Sequence, residues 1–234
     1  MALTFTNFRS SAPVPIVREL TQPKTLLTIL TRIDPAQKPT FKYRFHYVTG
    51  RTNAKPDLAH VYKLPFSLGA KYPLRAGYGV RPNRPSSANE YMLVWDMPAG
   101  TPVLAARDGI VVAIRDDSNE HGMTDGCRNK ANLVVIEHAD GTIAEYVHLK
   151  LHGSAVNLGQ LVKPGDLVGY SGNTGLSKDP NLLVRISRVN PAAARESLAA
   201  IWDTKDDYRT TPQGTEEEKT IDQTSSDKST DAGK

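Results

Sequence analysis

The chain has 234 residues, 39% apolar and 23% charged, a composition that excludes a disordered chain and suits one large folded domain or a domain and a half. No stretch approaches the roughly 20 apolar residues of a membrane-spanning helix, and MALTFTNFRSSAPVPIVREL lacks the basic region, apolar core and cleavage site of a secretory signal, which reads as cytoplasmic. The net charge of +4 is uneven: residues 204–234 hold five Lys or Arg against eight Asp or Glu, leaving +7 on the remainder, a field that draws polyanions without choosing among them.

The first 48 residues read as strands. Leu3 and Phe5 alternate with Thr, and Phe41, Tyr43, Phe45 and Tyr47 alternate with Lys42, Arg44 and His46, the period-two pattern of half-buried strands. TLLTILTRI lies between them, bounded by Pro23 and Pro35, so residues 1–60 are expected to form a small β module. A second block, 61–190, is again strand-like. Asp108-Gly109 separates TPVLAAR from IVVAIRD, and Asp140-Gly141 separates LVVIEH from TIAEYVHL; each predicts a tight hairpin. Lys163-Pro164-Gly165-Asp166 and Gly172-Asn173-Thr174-Gly175 are further turns. The run PAAARESLAAIWD, with Pro191 at its first turn, predicts a short helix over 191–203. From Thr204 onward only Tyr208 and Ile221 are sizeable apolar residues, which predicts a disordered polar tail. The fold class is therefore all-β and antiparallel.

Taken in order, DMPAGTPVLAARDGIVV, ANLVVIEHADGTIAEYVHL, GQLVKPGDLVGYSGNTG and DPNLLVRI resemble the lysostaphin-type (LytM-like) zinc metallopeptidases, which cut peptide cross-links of bacterial cell walls. The resemblance covers roughly residues 62–189, with YKLPF and GYGV as lead-ins. It implies a duplicated hybrid-motif-like β-barrel or sandwich and an envelope or periplasmic setting. It also implies one zinc, held by a His and an Asp early in the domain and by the second His of a late His-x-His. The fourth position is left for a water that the metal acidifies. Two more histidines, one in a Tyr-x-His-Leu strand and one opening the His-x-His, act outside the metal shell.

Matched residue by residue, this sequence departs from that pattern. The late Pro-His-Leu-His falls on Pro180-Asn181-Leu182-Leu183, so Leu183 stands for a ligand and Asn181 for the accessory histidine. Anchored on Met97-Pro98 and Gly100-Thr101-Pro102-Val103, the Asp ligand falls on Val94. The first His is missing from Pro82 to Glu90, and no shift of register restores it, because the six histidines are His46, His60, His121, His138, His148 and His152. Asp96 lies two residues beyond Val94, displaced by about 6.6 Å along a regular strand. Tyr146-Val147-His148-Leu149 keeps the accessory motif. The relic groove is thus expected to be lined by Val94, Asp96, Tyr146, His148, Asn181 and Leu183, with no catalytic residue, no metal and no cofactor.

Other candidates are weaker. His121, Asp125 and Cys127 fit no zinc spacing and belong to a polar loop, and a single cysteine offers neither a disulfide nor a cysteine pair. His138 and Asp140 flank a turn and are explained by turn chemistry. His148 and His152 are four apart, but Gly153 argues against a helix that would align them. The Gly172–Gly175 turn lacks the Lys and Ser/Thr of a phosphate loop, and no nucleic-acid motif stands out. The reading is a pseudopeptidase whose groove binds a cell-wall peptide or a protein partner, as a regulator of a wall hydrolase. Two alternatives stand beside it. One is a metalloendopeptidase with unorthodox ligands, Asp96, His148 and an oxygen donor near Asp179; the other is a structural protein with an inert groove.

Overall fold

The computed structural model describes residues 2–14, 16, 20, 26–45, 47–76, 90–192 and 194–203. His46 and the polar tail, 204–234, lie outside these residues. Near the N-terminus, β1 (Ala2–Thr6) and β2 (Phe8–Ser10) pair with β4 (Thr40–Arg44) and β3 (Leu30–Arg32) respectively, each as an antiparallel two-stranded ribbon. Leu3 faces Tyr43 and Phe5 faces Phe41, so the alternation read from the sequence does place the apolar residues on one face. That face is not half buried as expected: Phe41, Tyr43 and Phe45 are 57%, 62% and 63% exposed. Phe8 meets Phe41 edge-on at 6.3 Å, and Tyr43 stacks on Phe45 at 6.2 Å.

Residues 49–60 pack on the main body. Lys55 N–H donates to Asp140 O, and Asp57 N–H to the Asp140 carboxylate. A Cβ on Gly50 would meet Ile143 Cδ1 at 2.2 Å. The packed unit therefore takes in part of the stretch assigned to the N-terminal module.

That unit is a ten-stranded sheet. Its strands are β6 (Leu74–Ala76), β7 (Leu93–Asp96), β8 (Pro102–Leu104), β9 (Gly109–Arg115), β11 (Asn132–Glu137), β12 (Ile143–Ser154), β13 (Leu161–Val162), β14 (Leu167–Ser171), β16 (Asn181–Val189) and β17 (Arg195–Ser197). Short parallel pairs join β5 (Val61–Tyr62) to β18 (Ile201–Trp202) and β10 (His121–Gly122) to β15 (Gly175–Leu176). The main order is β13-β9-β11-β12-β16-β7-β6, with β14 on β12 and β8, and β17 on β16. No helix among the described residues is long and apolar enough to cross a membrane.

The Asp140-Gly141 hairpin forms between β11 and β12. Its turn is not the two-residue type that puts both Asp and Gly at positive φ; only Gly141, at +82°, has one. His138 N–H bonds to Thr142 O and Gly141 N–H to His138 O, a three-residue loop closed by a left-handed glycine. The hairpin expected at Asp108-Gly109 does not form, because β8 pairs with β14 while β9 pairs with β11 and β13. Gly109 answers to close packing instead: a Cβ there would stand 2.5 Å from Glu137 O.

The helix expected over 191–203 is replaced by a turn and two strands. Asn190 Oδ1 accepts the N–H groups of Ala192 and Ala194; β17 then runs back along β16 and β18 joins β5. A run this short gains little from helix formation on its own. Tertiary contacts decide: Arg195 pairs with the buried Glu145, and Trp202, 8% exposed, closes an aromatic cluster with Tyr62, Phe66 and Trp95.

Candidate functional site

The strands β7, β16 and β12 lie side by side. Val94 is opposite Leu183, Leu183 is opposite Val147, and Asp96 is opposite Asn181. Directly opposed residues in antiparallel strands share a face, so two alkyl side chains from the expected ligand positions sit together beside Val147. Val94 is 8% exposed and Leu183 partly buried. On the other face, Trp95 opposes Leu182, both fully buried in the core.

Tyr146 belongs to that core and not to the groove, which corrects the expectation. It is fully buried, and its hydroxyl accepts the Ala106 N–H at 2.8 Å. Burial pushes that hydroxyl well above the usual tyrosine range.

His148 is presented by an irregularity in β12. Asn132 pairs with Leu149 but Leu133 pairs with Val147, which leaves His148 as the extra residue of a bulge, at a φ of +71°. Bulges of this kind re-aim a side chain, and a non-glycine residue at positive φ holds only where its surroundings enforce it. Here the surroundings are the Gly172–Gly175 turn. Thr174 Oγ1 accepts the Asn132 N–H at 2.9 Å and donates to Leu149 O at 2.7 Å, while Thr174 O stands 2.7 Å from His148 Nδ1. A carbonyl only accepts, so Nδ1 carries the proton and Nε2 is left as an acceptor. Burial lowers the His148 pKa; the Thr174 bond opposes this and the charge of Arg75 adds to it, so the ring is neutral near pH 7.

Asn181 is equally committed. Its Nδ2 donates to Ser177 Oγ at 2.6 Å and to Asp179 O at 2.8 Å, and its backbone N–H bonds to Gly172 O. Asp96 forms an ion pair with Arg75. The residues at hand do not fit a zinc ion. They offer one imidazole nitrogen, a carboxylate already paired with a guanidinium, an amide bonded within its own loop and two alkyl groups. Among the described residues, no three His, Cys, Asp or Glu side chains gather closely enough to hold a metal.

The remaining candidates fall elsewhere. His121 is exposed on the short β10, Asp125 binds Arg128, and Cys127 lies in a single 3-10 turn. His138 and Asp140 do more than shape a turn. His138 is buried, with Nδ1 donating to Asp108 O at 2.7 Å, and burial lowers its pKa to about 4. Burial opposes the Asp140 charge, but the carboxylate accepts the N–H of Asp57, bonds from Thr142 and one from the buried Arg107 at 2.8 Å, and these hold its carboxyl far below the usual range. Sequence reasoning missed Arg75, Thr174 and Ser177 at the groove. Only Thr174 had a signal, its place in a turn between two glycines.

Residues 90–194 match the model of "Peptidase family M23". The chain carries an M23 peptidase domain. It is 29% identical over 144 residues to an uncharacterized metalloprotease of Buchnera aphidicola, covering 61% of this chain and 34% of that protein. It is 35% identical over 108 residues to the peptidoglycan DD-endopeptidase ShyA of Vibrio cholerae, covering 44% of this chain and 22% of that one. The chain thus spans about a third or less of the length of these relatives. Among solved structures, the catalytic domain of lysostaphin from Staphylococcus simulans is 30% identical, with 49% of this chain and 79% of that one covered at a TM-score of 0.37.

Proposed function

We propose that this M23 domain binds a cell-wall peptide, or a protein that acts on the wall, and does not itself cut peptide bonds. The observation that carries the reading is the pair Val94 and Leu183, which face each other across β7 and β16 where the family pattern calls for an Asp and a His. An alkyl group cannot ligate zinc, and without a metal there is no acidified water to attack an amide. The nearby polar groups are already bonded within the protein, Asn181 to Ser177 and Asp96 to Arg75. The wall enters through the relatives: ShyA is named for its action on peptidoglycan. On this reading the protein works in the cell envelope and regulates a wall hydrolase.

The test combines elemental analysis of protein purified with zinc present, incubation with purified peptidoglycan, and sedimentation with the same material. The expected result is no stoichiometric zinc, no released fragments and co-sedimentation. One zinc per chain that disappears in His148→Ala, together with released fragments, would establish instead a peptidase using Asp96 and His148.

A further inference from the structure

The strand face that carries Val94 and Leu183 has a positive charge at its margin, Arg75. Arg75 is the extra residue of a bulge in β6, since Leu74 faces Trp95 and Ala76 faces Val94, the next residue along β7. A bulge takes the extra side chain out of strict alternation, and here it brings the guanidinium onto the carboxylate of Asp96. Asp96 is in turn opposite Asn181, in the same strand pair that sets Val94 against Leu183. The charge of Arg75 also acts on His148. One bulge therefore sets a cation on β6 beside the alkyl pair Val94 and Leu183, with β7 and β16 between it and His148 on β12, whose Nε2 is an acceptor.

The ion pair leaves this cation usable. Its Nη2 meets Asp96, and the Arg75 and Asp96 side chains are 39% and 43% exposed. A guanidinium has five N–H donors in a planar fork, and a second edge can take another carboxylate with two parallel bonds. Asp96 fixes the direction of the fork and so lowers the ordering cost of binding.

We propose that Arg75 anchors the terminal carboxylate of a short peptide lying along the groove, with Asp96 positioning the guanidinium and His148 Nε2 accepting an N–H of the same peptide. The inference rests on the groove-binding reading and names its ligand chemistry. A side-chain carboxylate of a protein partner presents the same group, and the probes separate the two.

The probes are trialanine with a free carboxylate, its C-terminal amide, and an amide-capped peptide of equal length carrying one Glu, each titrated into the full chain and followed by NMR shifts. Trialanine is expected to bind roughly tenfold or more tightly than its amide, the size of a hydrogen-bonded charge pair. Arg75→Gln should bring the ratio to about one with the melting temperature unchanged. Arg75→Lys, which keeps the charge but not the fork, should recover part of it. Equal binding of acid and amide, a ratio that survives Arg75→Gln, or preference for the Glu peptide would each overturn the proposal while leaving the groove as a binding site. No shift with any probe overturns it as well, and sedimentation with peptidoglycan then judges the groove-binding reading separately.

Discussion

A carboxylate at position 94 would enter a site 8% open to water, on β7 between its neighbours β16 and β6. Val94→Asp should therefore destabilise the fold by about 2 kcal/mol or more, read from urea unfolding. A variant that instead gained stability with added zinc would reveal a ligand geometry still intact. His138 makes a second prediction, this time of pH dependence. Its folded pKa of about 4 lies below the free value of 6.5, so between those values the unfolded chain binds the proton that the folded one refuses. Stability present above pH 6.5 is lost as pH falls toward 4, by about 2 kcal/mol between pH 7 and pH 5 for this group. His60 and His148, also lowered by burial, act in the same direction. His138→Asn, whose amide can still donate to Asp108 O, should flatten the wild-type slope; an unchanged slope would place the titration elsewhere. What could be read at this scale was the chemistry that a letter carries by itself, the alkyl groups at 94 and 183. Arg75 was illegible because a bulge, and not its spacing, brings it to Asp96. Tyr146 was misplaced because its neighbour in the motif sits on a bulge while Tyr146 itself keeps the alternation that points it into the core.

Among elements, the Ala-rich run after Pro191 shows tertiary structure overriding local propensity. Its composition favours a helix, yet Arg195 finds Glu145 and Trp202 finds Trp95 at 6.1 Å only when the segment is extended. Trp202→Ala should cost about 3–5 kcal/mol, the penalty for emptying a buried aromatic site; a loss below 1 kcal/mol in urea unfolding would mean that β18 is dispensable. The two Asp-Gly pairs divide for a similar reason. After Ile136-Glu137-His138 the chain turns back on its neighbour, and the local signal suffices. At Asp108-Gly109 the same letters lie where the chain crosses between pairings, and glycine serves the close approach of β9 to β11. Sequence spacing carries no information about which strand a strand will pair with.

For the molecule as a whole, the order of four motif blocks was enough to give the family, and the M23 match over 90–194 agrees with it. Patterning could not give the 12-residue β12, which runs beside β16 and then, past His148, beside β14. Nor could it locate the start of the packed unit, since residues 49–60 hold to the hairpin through backbone bonds that leave no mark in composition.

The N-terminal ribbon carries a consequence for how the protein behaves in solution. Among the described residues its two strands pair only with each other, and its aromatic face is turned to water, the pattern that favours sticking between copies. The same 48 residues hold seven Lys or Arg and two Asp or Glu, so neighbouring copies repel. Salt screens that repulsion within about 10 Å at 0.1 M and leaves the aromatic attraction in place. Ionic strength is thus the quantity that sets colloidal stability, and concentrated stocks are best held in dilute buffer.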